Sequence, residues 1–374
     1  MPVSSPIYLG ASYICETTSE LDRIFALEEK GYAYSRYASP TNDALEEQIT
    51  ALEGGAGALA CASGMSALQL AIQAALIDRR KDVLYAHAIY GATMKLLHDV
   101  LEPFGIESSF IDICDLRHVE AAIADRKPGC VLMETVSNPI LRVGAIDRIA
   151  ELTKKAGAAL IVDNTFATPL LVRPLELGAN LVVHSATKYL GGHGDVLGGI
   201  IVSDQEHLET VRRLSRVAGP VLGPFESYLT LRGIKTFALR VERQCQNARC
   251  LAQWLRNHPR VENVNYLDDP AHPDRETIAR LLPAGLYGGM VSFEIKGLDR
   301  EGVFAFLDKL KLIVRATSLG DVHTMILYPW ISSHRDVSPK QKERMGIREN
   351  LVRVSVGIED FEDIQADFAQ ALEA

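Results

Sequence analysis

No stretch of this chain is apolar for long enough to suggest a membrane span. Its longest apolar runs, "GAALIV" and "VLGGIIV", stop at Asp163 and at Ser203-Asp204, far short of the roughly 20 residues a spanning helix needs. The opening "MPVSSPIYLGASYIC" lacks the basic region and apolar core of a secretory signal, so a cytoplasmic chain is expected. The six cysteines, Cys15, Cys61, Cys114, Cys130, Cys245 and Cys250, form no CxxC pair. That argues against a disulfide framework or a zinc site, and no metal is expected. Basic residues are in deficit: the formal net charge is −9, which disfavours nucleic acid and anionic membranes as partners. A GxxxxGK[ST] loop and a GxGxxG turn are both absent, so ATP and dinucleotides lose ground. Internal repeats and low-complexity segments are missing as well.

What is present reads as an ordinary soluble α/β chain. At 374 residues it exceeds the length over which one core keeps growing, so at least two domains are expected. Residues 1–43 read as an arm: "GYAYSRYASPT" mixes aromatics, Arg36 and turn formers without helical or strand period. Asp43 is expected to cap the helix written in "ALEEQITALEG". Residues 44–230 then alternate short apolar runs ("DVLYA", "CVLMET", "ALIVDN", "NLVVHS") with helical stretches. That rhythm predicts a mainly parallel sheet covered on both faces. Ligands bind such sheets at the carboxyl ends of the strands, where Glu134, Asp163 and Ser185 fall. Residues 231–374 read as a smaller α/β domain closed by the amphipathic "EDFEDIQADFAQALEA".

The chemistry concentrates in three places. Ser63, Gly64 and Met65 make a small-residue turn that opens a helix, and free N–H groups there suit an anion. Asp163 ends the apolar strand "ALIVD". Lys188 follows the next strand in "HSATK", beside the hydroxyls of Ser185 and Thr187. Singly, each reads as a cap, a turn former or a surface lysine. Jointly, a strand-end carboxylate, a lysine and clustered hydroxyls fit pyridoxal 5′-phosphate. That cofactor needs an amine for covalent attachment, a carboxylate against its ring nitrogen and donors for its phosphate.

These motifs, with "YAYSRYASPTNDALE" at one end and "LVRVSVGIED" at the other, resemble the Cys/Met-metabolism family of pyridoxal-phosphate enzymes over nearly the whole chain. The resemblance implies a fold-type I, aspartate-aminotransferase-like α/β architecture and a homotetramer built from two tight dimers. It makes Lys188 the Schiff-base lysine, Asp163 the pyridinium partner, and Ser63, Gly64, Met65, Ser185 and Thr187 the phosphate cradle. Tyr34 and Arg36 match a pair that reaches a neighbouring subunit's phosphate. Tyr90 matches the tyrosine stacked on the ring, with a part in proton transfer, and Asn138 the asparagine near the ring's 3′ oxygen. Arg353, helped by Thr324 and Asn138, matches the group that holds the substrate carboxylate, a task suited to the guanidinium fork. The implied activity is γ-elimination from a sulfur-containing L-amino acid (cystathionine, methionine or homocysteine). γ-Replacement on an acylated homoserine is the alternative. Several positions depart from the family pattern: Ala92, Val136, Phe225, Glu226, His323, Thr324 and Trp330. These bear on substrate choice and leave the cofactor residues intact.

Overall fold

A computed structural model describes residues 3–335 and 337–373. Seven strands form the larger sheet: β1 (Gly57–Cys61), β2 (Asp82–Ala86), β3 (Glu107–Ile111), β4 (Cys130–Glu134), β5 (Ala159–Asp163), β6 (Leu181–Ser185) and β7 (Gly199–Ser203). Their spatial order is β1-β7-β6-β5-β4-β2-β3. Neighbours run parallel from β3 through β2, β4 and β5 to β6, whereas β7 runs against both β6 and β1. Every residue of β2, β4 and β7 is buried. Unbroken apolar runs rather than alternating ones are what a sheet covered on both faces requires.

The helix Gly64–Leu76 packs across β6 and β7. Ser63 caps it, accepting the N–H of Ser66 while the Ser66 side chain answers the Ser63 N–H, and this reciprocal box fixes where the helix starts. The preceding helix spans Pro40–Glu53, so its cap is Ser39 rather than Asp43. Proline at the first helical position has its φ preset and no N–H to waste there. Asp43, one turn in, instead accepts a hydrogen bond from the Tyr32 hydroxyl at 2.8 Å.

The second sheet contains β8 (Val261–Asn265), β9 (Met290–Ile295), β10 (Val314–Arg315), β11 (Met325–Leu327) and β12 (Leu351–Ser355), in the order β10-β11-β12-β9-β8. Phe237–Arg256, a helix about 30 Å long at 1.5 Å per residue, lies against β8 and β9. The closing helix Phe361–Glu373 packs on it, and Phe293, Phe306 and Phe368 form the aromatic centre of this smaller core. Among the described residues, no helix is long and apolar enough to cross a membrane. The carboxyl ends of β4, β5 and β6 and the middle of β12 contribute to one region between the two sheets.

Candidate active site

Lys188 leaves β6 in a tight turn, its N–H donating to the Ser185 carbonyl at 3.1 Å. The glycines that follow have a steric purpose. Gly192 sits at φ +71°, and a Cβ there would stand 1.9 Å from Nη1 of Arg240. That buried arginine donates to the carbonyls of Tyr189 at 3.0 Å and Gly233 at 2.9 Å, stapling the turn in place. The Lys188 amine reaches Ser318 Oγ at 3.1 Å. Burial, and after it the charge of Arg353, hold its pKa below the ordinary lysine value, which favours the neutral amine.

Asp163 ends β5, its Oδ1 accepting the Thr165 N–H at 2.9 Å. Desolvation lifts its carboxyl, against the pull of Thr165 and His184. Behind it lies a buried chain: His184 Nε2 is 2.6 Å from Glu53 Oε1, Asn164 donates to the same oxygen, and Thr135 donates to Asn164. One strand over and in register with Asp163, Glu134 is only 7% exposed. Its Oε1 accepts the Tyr90 N–H at 2.8 Å and its Oε2 the Asn138 N–H at 3.2 Å. Burial, then the nearby Asp163, push this carboxyl up to about 8.

Arg353 comes from the other sheet, on β12, and is buried. Nη1 donates to Asn138 Oδ1 at 2.9 Å and Nη2 to the Ser318 carbonyl at 3.1 Å. Nε is buried with no hydrogen-bond partner, an open donor in a charged group. Burial pulls the guanidinium down to about 10. Tyr90 is 40% exposed. With His87, Phe110, Ser333 and Met345 it lines a cavity of about 450 Å³, and Lys188, Asp163 and Arg353 are not among its lining residues.

At the other end of the cluster, the first-turn N–H groups of the helix Gly64–Leu76 have no acceptor within the helix. Gly64 lies directly against Ser185, and a Cβ on it would be 3.0 Å from the Ser185 Cβ. A side chain at position 64 would therefore crowd Ser185. Thr187 Oγ1 accepts the Gly198 N–H at 3.0 Å, tying the turn before Lys188 to the start of β7. Met65 packs partly buried against the large core.

Lys188, Asp163, Asn138, Arg353, Tyr90, Ser63, Gly64, Ser185 and Thr187 thus gather around the carboxyl ends of the central strands. Three other expected site residues have different surroundings. Tyr34 and Arg36 lie on the arm, where the guanidinium sits 5.5 Å from the Tyr34 ring and 5.1 Å from the Tyr37 ring and donates to the Arg216 carbonyl. Thr324 is fully buried; its hydroxyl donates to Glu359 at 2.8 Å and accepts the Gly357 N–H at 2.9 Å. His323 lies nearby with Nδ1 2.8 Å from Asp321 Oδ1. Trp330 packs beside Met345, Ile347 and Leu351 with the Lys342 ammonium 4.4 Å above its ring. One contributor escaped the sequence reading and another was read only by its place. Ser318 gives no signal in a loop of mixed composition, and Glu134 was visible only as an acid ending an apolar strand.

The donor set fits pyridoxal 5′-phosphate: an amine held toward neutrality, a strand-end carboxylate, and a glycine-floored helix start beside hydroxyls. The mainly parallel sheet with a smaller α/β unit and this constellation define a fold-type I pyridoxal-phosphate enzyme. The chain belongs to the Cys/Met metabolism PLP-dependent enzyme family, whose model matches residues 1–373. It is 42% identical over 372 residues to a cystathionine gamma-lyase of Bacillus subtilis, covering 99% of this chain and 94% of that one. An L-methionine gamma-lyase of Fusobacterium nucleatum is 40% identical over 374 residues, with coverage of 99% and 93%. Among solved structures, cystathionine gamma synthase from Xanthomonas oryzae in complex with aminoacrylate and cysteine superposes with TM-score 0.92 at 34% identity, covering 99% of this chain and 93% of that one. The protein is accordingly a pyridoxal-phosphate-dependent lyase or transferase of cysteine and methionine metabolism.

Proposed function

We propose that this enzyme carries out γ-elimination on an L-amino acid bearing sulfur at Cγ, releasing a thiol, a 2-oxo acid and ammonia with uptake of one water. The observation that carries the reading is the pairing of a Lys188 amine held toward neutrality with a buried Arg353 whose Nε has no protein partner. An amino acid brings the two groups this pair requires, an acidic Cα–H and a carboxylate.

In this reading Arg353 takes the α-carboxylate, a charge-assisted contact that its fork geometry favours, and Thr324 shapes the adjoining loop. Lys188 would attach the cofactor, and its amine would take the Cα proton and then move a proton at Cβ, so that sulfur can leave Cγ. When bound, the cofactor would supply an electron sink for the charge left at Cα. Asp163 would hold its ring nitrogen protonated, with Tyr90 against the ring and Asn138 toward the 3′ oxygen. Ser63, Gly64, Met65, Ser185 and Thr187 would hold the phosphate, and Tyr34 and Arg36 would contribute to the phosphate site of a second copy in a homotetramer. The arm supports that reading: Leu9 is 74% and Ile14 100% exposed in the single chain, so apolar surface is left for a partner to cover. A cytoplasmic setting accords with the free cysteines.

Elimination is preferred because His323 is already turned toward Asp321 and is a poor holder for the distal ammonium of a large substrate. The similarity to a cystathionine gamma synthase favours γ-replacement on an acylated homoserine as the second reading. Supplying methionine, homocysteine or cystathionine alone, and then a homoserine ester with a thiol, separates them. Release of 2-oxo acid from the first set in excess of thioether from the second supports elimination. Thioether as the dominant product, with negligible 2-oxo acid, moves the enzyme to the replacement side.

A further inference from the structure

Glu134 has no place in the chemistry just described, yet its two oxygens are spent on that site. A carboxylate that served only the sheet would find its donors within β4 or its neighbours. Instead Oε1 holds the N–H of Tyr90, in the loop after β2, and Oε2 holds the N–H of Asn138, in the loop after β4. Both loops carry groups facing the reaction region. From Asn138 the chain of hydrogen bonds continues without a gap: Arg353 donates to Asn138 Oδ1 and to the Ser318 carbonyl, and Lys188 donates to Ser318 Oγ.

We propose that Glu134 is a positioning residue that sets Tyr90 and Asn138 as one unit, and through Asn138 orients the Arg353 fork. It has no contact of its own with Lys188, so it acts through these neighbours. Filling the space would not require an acid: a buried carboxylate costs desolvation, and an apolar side chain would pack there more favourably. The geometry needs two acceptors on one rigid group, which the ionised carboxyl supplies and an amide does not; the N–H groups of Tyr90 and Asn138 favour that form against burial. Glu134→Gln keeps the volume but turns one oxygen into an NH2, which meets a backbone N–H head-on. One of the two loops then loses its anchor. The charged groups nearest the carboxylate are Asp163 and Arg353. The consequence for catalysis rests on the functional reading above; the clamp itself does not.

The test uses the full-length protein with Glu134→Gln, and with Glu134→Ala if that variant folds. Amide hydrogen exchange read by mass spectrometry should show faster exchange at one of the two loops, Tyr90 or Asn138, in Glu134→Gln and at both in Glu134→Ala, with the helix Phe361–Glu373 unchanged. Apoprotein titrated with pyridoxal 5′-phosphate and steady-state kinetics give the second readout. Glu134→Gln should lower kcat/KM by up to about tenfold, the scale of one lost hydrogen bond. Combined with Asn138→Ala, it should cost less than the product of the two single losses, because part of its effect runs through Asn138. Unchanged exchange at both loops in Glu134→Gln, or at either loop in a folded Glu134→Ala, overturns the proposal. So do multiplicative losses in the double variant, or wild-type kcat/KM alongside loosened loops. A wild-type apoprotein that takes up no cofactor would sink the functional reading instead, and the exchange data would still decide the clamp.

Discussion

Replacing Arg353 with lysine keeps a cation on β12 while removing the fork. In the wild type the two terminal nitrogens are committed to Asn138 and Ser318, and Nε is the buried donor left for a ligand. A lysine ammonium is a single point with three donors on a flexible stem and does not reproduce the planar fork that serves Asn138, Ser318 and a ligand at once. Each hydrogen bond to a charged group contributes about 1.5–3 kcal/mol. Losing the substrate contact, together with partial loss of orientation, amounts to about 2–4 kcal/mol, or roughly 30- to 1,000-fold in kcat/KM. Because the α-carboxylate is bound before and during reaction, much of the loss should fall on KM. The assay is steady-state release of 2-oxo acid, comparing a free amino acid with its methyl ester. The wild type should strongly prefer the acid, and Arg353→Lys should lose most of that preference. If the variant keeps kcat/KM within about threefold, or the preference for the free acid survives, Arg353 is not the carboxylate holder.

Other consequences are independent of the substrate. Burial lifts the Glu134 carboxyl from 4.5 to about 8, so the folded apoprotein binds more protons than the unfolded chain between those values. Its stability should be highest below about pH 4.5 as far as this group is concerned and fall as pH rises toward 8, by at most about 5 kcal/mol. Denaturant midpoints across that range should show a shallower pH slope for Glu134→Gln than for wild type. Asp367 has the opposite sign: burial raises its pKa, but the N–H groups of Ile313, Lys311 and Leu312 outweigh that and hold it below 3.8. Asp367→Ala should therefore cost about 2–4 kcal/mol at neutral pH. The gap to wild type should narrow as pH falls through the depressed folded pKa, measured by urea denaturation. Arg36→Ala and Lys188→Ala subunits, each inactive or weak alone, should recover activity on mixing if the arm completes a neighbour's site. No recovery where mass spectrometry shows subunit exchange would refute that sharing.

Legibility in the sequence followed locality. The apolar strands ending in Glu134, Asp163 and Ser185 and the turn carrying Lys188 are written in short contiguous runs, so their position at the sheet's carboxyl edge could be read directly. The segment from Tyr90 to Gly105 reads as one helix. It is in fact α over Gly91–Lys95, π over Leu96–Leu101 and 3-10 over Glu102–Phe104, ending at Gly105 with φ +82°. Apolar periodicity does not separate these windings, which differ by a single residue in hydrogen-bond span. Ser39 and Asp43 are both good caps by type, and Pro40 decided between them. Ser318 and the double grip of Glu134 depend on contacts between loops far apart in the chain, which no local pattern encodes. Arg353 became a candidate through the family motif around it, while its unpartnered Nε is visible only in three dimensions.

The central claim, that Lys188 is the residue to which the cofactor attaches, is tested most directly by trapping that bond. Wild-type protein incubated with pyridoxal 5′-phosphate is reduced with borohydride, digested and mapped by mass spectrometry. The account predicts about one label per chain on the peptide containing Lys188, a result expected of the lysine that binds this cofactor, and none in Lys188→Ala. A label on Lys95 or Lys235, or no label on any lysine, would contradict it.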